Sequence, residues 1–148
     1  MDEKNIEEKV RINSPKLKVE KKFESNYEKD KEVLTYSIDM YNEKKDSVAK
    51  NIILKDVLDT VDVDKESIRV VDETGKEIPK DKYTIEEKKD KNGNNVLEIR
   101  FKDVYLIDKE TNKEEIAKKQ NISGTSMFRK VGLNYNVRRN KNKVKRDI

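Results

Sequence analysis

Cysteine and histidine are both absent from this 148-residue chain. Their absence excludes disulfides, thiolate metal sites, cysteine nucleophiles, the Ser-His-Asp triad and histidine-ligated zinc. Amine, carboxyl, amide and phenol groups remain to do chemistry, and two charged residues stand out by position. In "KLKVEKKFES", residues 16–25, a strand turns Leu17, Val19, Lys21 and Phe23 to one face and Lys18, Glu20 and Lys22 to the other. A lysine therefore falls on the apolar face. In "AKNIILKDVLD" the same alternation puts Ile52, Leu54, Asp56 and Leu58 together, so a carboxyl group also interrupts an apolar row. An unpaired charge in a core costs several kcal/mol. Lys21 must then lie at an edge, be paired, or be chemically altered. The plain readings are a lysine snorkelling at a sheet edge and an aspartate accepting turn hydrogen bonds at a strand exit.

The elements that must position these residues read as strands. After the opening run, "EVLTYSIDMYN" alternates strongly, with Leu34, Tyr36, Ile38 and Met40 on one face. "SIRVVD" and "YTIEEK" follow, separated by the turn-forming "ETGKEIPKD". "DKNGNN" reads as a hairpin turn into "VLEIRFKDVYLI", where Leu97, Ile99 and Phe101 alternate. "DKETNKEEIAKKQ" is too polar for a strand and fits a surface helix or loop, with Glu114 and Lys118 at helical spacing. "FRKVGLNYNV" closes the series. If regular, it turns Val131, Leu133, Tyr135 and Val137 to the core and Asn134 and Asn136 away. A bulge at Gly132 would re-aim Asn134 inward. This pattern predicts an all-β, antiparallel sandwich of about seven strands over residues 16–137. A charged linker or arm at 1–15 and a basic tail at 138–148, both flexible, flank it. Leu34, Tyr36, Ile38, Ile52, Leu54, Leu58, Leu97, Ile99 and Phe101 form the expected core.

Apolar residues make up 32% of the chain and charged residues 45%, a balance that approaches disordered composition. The periodicity of the apolar residues argues instead for a lean core under a highly charged surface. Formal net charge is +4, but residues 129–148 hold eight Lys or Arg against one Asp, leaving 27 basic and 30 acidic residues elsewhere. The basic character belongs to the carboxyl-terminal stretch. No run reaches the roughly 20 apolar residues of a membrane span, and "MDEKNIEEKV" lacks the apolar centre of a secretion signal. No phosphate-binding glycine loop or nucleophile elbow occurs. "DTVDVDKES" has the acidic spacing of a calcium loop but lacks the glycine at its sixth position and the glutamate at its twelfth. No metal or cofactor is expected.

"SPKLKVEKKF", "LTYSIDMYNEKKDSVAKNIILKDVLD" and "VLEIRF" follow one another in an order that resembles the repeated β-sandwich domains of Gram-positive surface proteins and pilins. These are the DUF11-like and fimbrial isopeptide-forming D2 group. The likeness spans roughly residues 14–107. It rests on a Pro-Lys-Leu lead into a lysine-bearing strand, a tyrosine strand running into Asn42, and the pattern from Asn51 to Leu58. It implies an Ig-like sandwich of the CnaA or DUF11-like type. It further implies an intramolecular isopeptide bond, in which a lysine amine attacks an asparagine carboxamide on another strand, an acid assists, and ammonia leaves. Desolvation favours the neutral amine and the neutral acid, and the folded core supplies the effective concentration. Carried over to this chain, Lys21 is the amine, Asp56 the assisting acid, and Asn134, or second Asn136, the amide.

The expected function is accordingly structural: an adhesive or stalk module of a Gram-positive cell-surface protein or pilin. Such a module sits in the cell wall as part of a longer parent chain, beside neighbouring modules, and can meet a host or cell-surface protein ligand. It is not an enzyme beyond one self-directed cross-link. The alternative is an intracellular nucleic-acid-binding protein whose basic arm, Arg129, Lys130, Arg138, Arg139, Lys141, Lys143, Lys145 and Arg146, contacts phosphates while Phe128 or Tyr135 stacks on bases. A third reading adds a partner strand at an open sheet edge.

Overall fold

A computed structural model describes residues 14–139, so of the expected arms at 1–15 and 138–148 the parts 1–13 and 140–148 lie outside the described residues, while Arg138 and Arg139, expected in the tail, end the last strand. Its centre is β2 (Lys31–Asn42), in which Leu34, Ile38 and Met40 are buried and Tyr36 is half-buried. On one side β2 pairs antiparallel with β1 (Leu17–Glu28) through the two-residue turn Lys29–Asp30. Both turn residues have positive φ, 52° and 65°. That is the left-handed pair of a type I′ hairpin, whose twist matches the strands it joins. On its other side β2 pairs antiparallel with the last strand, β10 (Val131–Arg139). Its Val131, Leu133, Tyr135 and Val137 are all buried, as alternation requires.

The far edge of β10 is covered in two pieces by β4 (Val61–Val63) and β5 (Arg69–Val71). Where a 3₁₀ turn separates these pieces, Ser67 Oγ accepts the Asn136 N–H at 2.7 Å and Asp64 N–H donates to the Asn136 carbonyl at 2.9 Å. The β10 edge therefore keeps its backbone partners through the gap.

β3 (Ile53–Leu58), β6 (Tyr83–Lys89) and β7 (Asn95–Phe101) form a second antiparallel sheet in the order β3-β7-β6. Asp90 nucleates the β6–β7 turn by accepting the N–H groups of Asn92 and Asn94, each at 2.9 Å, and Gly93 supplies a φ of 80°. Leu54, Leu58, Leu97, Ile99 and Phe101 from this sheet meet Leu34, Ile38, Leu133 and Tyr135 from the first in one apolar cluster. The architecture is thus all-β and sandwich-like. Eight of the nine expected core residues are buried, and Tyr36 packs at the margin. On the outer face of the second sheet Glu98 is also buried. Its Oε2 lies 3.0 Å from Lys88 Nζ. Arg100 Nη2 comes within 2.7 Å of Oε1, off the line a hydrogen bond needs. The Lys88 bond first, against the opposing effect of burial, holds this carboxyl below the usual glutamate range.

At one end of the sandwich β8 (Tyr105–Leu106) and β9 (Met127–Phe128) make a short parallel pair. They flank α1 (Lys113–Gln120), so the polar "DKETNKEEIAKKQ", read as a surface helix or loop, is helical. The Asn112 side chain caps its start by accepting the Glu115 N–H, and Asn121 ends it in the left-handed region. Its single buried residue, Ile116, joins Val48, Ile107 and Met127 in a second, smaller apolar cluster. Buried Asn42 sits beside it, donating Nδ2 to Ser47 Oγ at 2.9 Å and to the Leu106 carbonyl at 3.0 Å. The asparagine that follows the tyrosine strand is therefore a structural clasp.

β1 and β10 both run antiparallel to β2, so they run parallel to each other on its two sides. Leu17 pairs with Asn42 and Val131 with Met40 at one end, whereas Glu28 pairs with Lys31 and Val137 with Leu34 at the other. The chain enters its first strand at one pole of the sandwich and leaves its last at the opposite pole.

Candidate functional site

The two charged residues that break the apolar rows meet between the sheets. Lys21 lies on the core-facing side of β1, opposite Ile38 of β2, which in turn is opposite Leu133 of β10. Asp56 lies on β3, where Leu54, Asp56 and Leu58 are buried and Ile53, Lys55 and Val57 are exposed. Lys21 Nζ is 2.6 Å from Asp56 Oδ1. The other carboxylate oxygen, Oδ2, accepts a very short hydrogen bond from the Tyr135 hydroxyl of β10. One buried carboxylate thus receives an ammonium from the first strand and a phenol from the last.

Neighbouring aromatics complete the surroundings. Phe23, Tyr36 and Tyr135 occupy one rung across β1, β2 and β10. Their ring centroids are 5.1 Å and 5.8 Å apart in succession, both pairs tilted. The Lys21 ammonium sits 4.2 Å above the Tyr36 ring centroid, within cation–π range. The lysine side chain is 36% exposed and the aspartate side chain 9%. The ammonium therefore sits at the mouth of the gap and the carboxylate inside it. Burial, then the hydrogen bond and charge of Asp56, push the Tyr135 phenol far above its ordinary value. Tyr135 stays protonated and remains a donor across the physiological range.

Asn134 and Asn136 stand elsewhere. Both are exposed, and in register Asn134 matches Ser37 and Asn136 matches Thr35, on the opposite face of the sheet from Lys21. The ladder runs unbroken through Gly132, opposite Asp39, so no bulge re-aims Asn134. Gly132 is instead a point of close approach. A Cβ there would lie 3.0 Å from Asp39 Oδ1 and 3.2 Å from Val71 Cγ2. The expected Lys21–Asn134 cross-link, and its Asn136 variant, are therefore corrected: a sheet intervenes, and Asn136 Oδ1 accepts from Thr35 Oγ1 at 3.1 Å. Of the expected site residues the fold brings together Lys21 and Asp56. The place in the last strand that faces them belongs to Tyr135. Its hydroxyl was missed because a tyrosine in an apolar row reads as core. The available signal was that a buried phenol needs a partner, and Asp56 is the polar group on the facing row.

Three of the described basic residues of the carboxyl-terminal stretch have partners within the fold, and Arg138 is exposed. Arg129 Nη1 donates to the Asp108 carbonyl at 2.6 Å, Lys130 lies 3.8 Å from Asp39, and Arg139 lies 3.6 Å from Glu32. Lys141, Lys143, Lys145 and Arg146 lie outside the described residues. Tyr135 is 1% exposed and has no face for a base. Among the described residues no group of three or more acidic side chains is placed to hold a metal ion. Asp64 of the calcium-like stretch caps the 3₁₀ turn by accepting the Glu66 N–H. No described helix is long and apolar enough to cross a membrane. No protein-family model matches the chain, and neither does any curated protein.

Proposed function

We propose that this chain is a structural, load-bearing module of a Gram-positive cell-surface protein or pilin, of Ig-like type, working as a spacer between neighbouring modules. One observation carries the reading: the chain enters β1 and leaves β10 at opposite poles, and both strands are bonded to opposite sides of β2. Tension between the poles pulls β1 and β10 in opposite directions along the strand axis. Every hydrogen bond of the two ladders is then loaded together rather than one after another. Lys21–Asp56 and Tyr135–Asp56 add ties from the two loaded strands to the second sheet. In this module the ties are an ion pair and a hydrogen bond, and the intact mass should equal that of the sequence. A loss of one ammonia would instead restore an asparagine cross-link, and a loss of one water would join Lys21 to Asp56 directly.

Single-molecule stretching of a tandem array tests the reading. Each module should open in one cooperative step that releases the whole Leu17–Arg139 span at about 3.5 Å per residue. Peeling at low force, strand by strand, would overturn it. The nucleic-acid reading keeps its exposed Arg138 and the residues beyond 139. It predicts salt-sensitive binding to duplex or single-stranded DNA, and the load-bearing reading predicts none.

A further inference from the structure

β1 is the last strand of its sheet, pairing with β2 alone among the described strands. Over its 12 residues no side chain is buried. On its core-facing side Leu17, Val19, Phe23 and Tyr27 remain 45%, 51%, 46% and 76% exposed. A 12-residue edge strand bearing exposed aromatics is a template for pairing with another strand.

The backbone fixes which residues can pair. In a two-residue hairpin the residues closing the turn, here Glu28 and Lys31, exchange backbone hydrogen bonds, and such pairs recur at every second residue. The bond from Glu43 N–H to the Lys16 carbonyl, at 2.8 Å, continues the same even-numbered series at the far end. Even-numbered residues of β1 therefore bond to β2, and odd-numbered residues point their N–H and C=O groups outward. A second copy has the same odd-numbered series to offer. Two copies related by a two-fold axis can pair antiparallel only with odd residues opposite odd, so one residue of each β1 sits on the axis.

Side chains then choose the residue. With Lys22 on the axis, lysine meets lysine and Glu20 meets Glu24. With Glu24 on the axis, glutamate meets glutamate and Glu20 meets Glu28. With Lys21 on the axis the outer charges match, but two ammonium groups face each other beside the apolar residues. With Phe23 on the axis, Phe23 faces Phe23, Val19 faces Tyr27, Lys22 faces Glu24 and Lys18 faces Glu28, each pair occurring twice except the first. Opposite charges and apolar side chains are satisfied together in that register, whereas Ser25 on the axis would set Lys21 against Lys29 and Glu20 against Asp30.

We propose that two copies of this chain pair edge to edge along β1, antiparallel, with Phe23 on the two-fold axis. The occupant of the open edge is a second copy, selected by charge complementarity.

The test is a charge reversal within the predicted pair, read by sedimentation of the full chain. Wild type should sediment as a dimer. Lys22→Glu alone, or Glu24→Lys alone, sets like charges opposite each other twice and should weaken the dimer by about tenfold or more. An equal mixture of the two variants should form a heterodimer, and the K22E/E24K double variant should dimerise like wild type. Both positions are exposed on the outer face of the hairpin, and circular dichroism should show each variant folded. A monomeric wild type, single reversals that leave the dimer intact, or a mixture that fails to recover it would each overturn the proposal. A heterodimer from K22E with wild type instead would place the axis elsewhere and overturn it as well.

Discussion

Removing the two donors to Asp56 one at a time and then together exposes what the tie contributes. Lys21→Met takes away the ammonium at Oδ1 and Tyr135→Phe the hydroxyl at Oδ2. A hydrogen bond to a charged group contributes about 1.5–3 kcal/mol. The lysine side chain is 36% exposed, so water takes over part of its role and screening discounts the charge. About 2 kcal/mol is expected for Lys21→Met. Tyr135 is 1% exposed, so no water replaces its hydroxyl, but the bond lost has a neutral donor, and about 1–2 kcal/mol is expected. Each single variant leaves the carboxylate one donor, whereas the double variant leaves a 9% exposed carboxylate with neither. An uncompensated buried charge is disproportionately costly. The double variant should therefore lose more than the two singles combined, by about 1–2 kcal/mol, within the usual range for residues sharing a partner. Urea melts at neutral pH measure all four proteins, with unchanged slopes licensing the comparison. Additive losses would refute the claim that Lys21 and Tyr135 act through one carboxylate.

Two further outcomes follow from the same geometry. Tyr135 has its phenol raised by burial first and by Asp56 second, so folded Tyr135 resists ionisation that unfolded Tyr135 undergoes near about pH 10. Its contribution should be intact below that value and fall by about 1.4 kcal/mol per pH unit above it. Alkaline melts of wild type against Tyr135→Phe should show the gap between them closing. Gly132→Ala should cost about 1–3 kcal/mol by thermal or urea melt, since the added Cβ meets Asp39 and Val71 at 3.0 and 3.2 Å. Asp39→Ala should relieve part of that cost.

The sandwich was legible because alternation in β2, β3, β7 and β10 is nearly unbroken, and a one-residue slip would expose every buried side chain at once. Lys21 and Asp56 were legible as a pair for the complementary reason that each is a charge in an otherwise apolar row. Tyr135 was not, because its ring satisfies the pattern and hides the hydroxyl. The exposure of Leu17, Val19, Phe23 and Tyr27 was not legible either. Alternation reports which face a residue takes, and whether a second sheet extends beneath that face depends on where β3 runs. The segment of α1 was legible only as a helix or a loop, because it buries one side chain, Ile116, within eight residues. That is too little for a helical period to show.

The division of the interior into two clusters carries a last consequence. Leu106 belongs to the larger cluster and Ile107 to the smaller, and Asn42 bonds to the carbonyl between them. The smaller cluster rests on Val48, Ile107, Ile116 and Met127, so α1 and the segment after it can open without exposing the ladders of β2. Amide hydrogen exchange should then divide the molecule in two. Ile116 through Gln120 should exchange through a low-energy opening, and Ile38 and Leu133 only through global unfolding. A chain built this way can yield at one corner, take up a proteolytic cut or an insertion there, and still hold along its length.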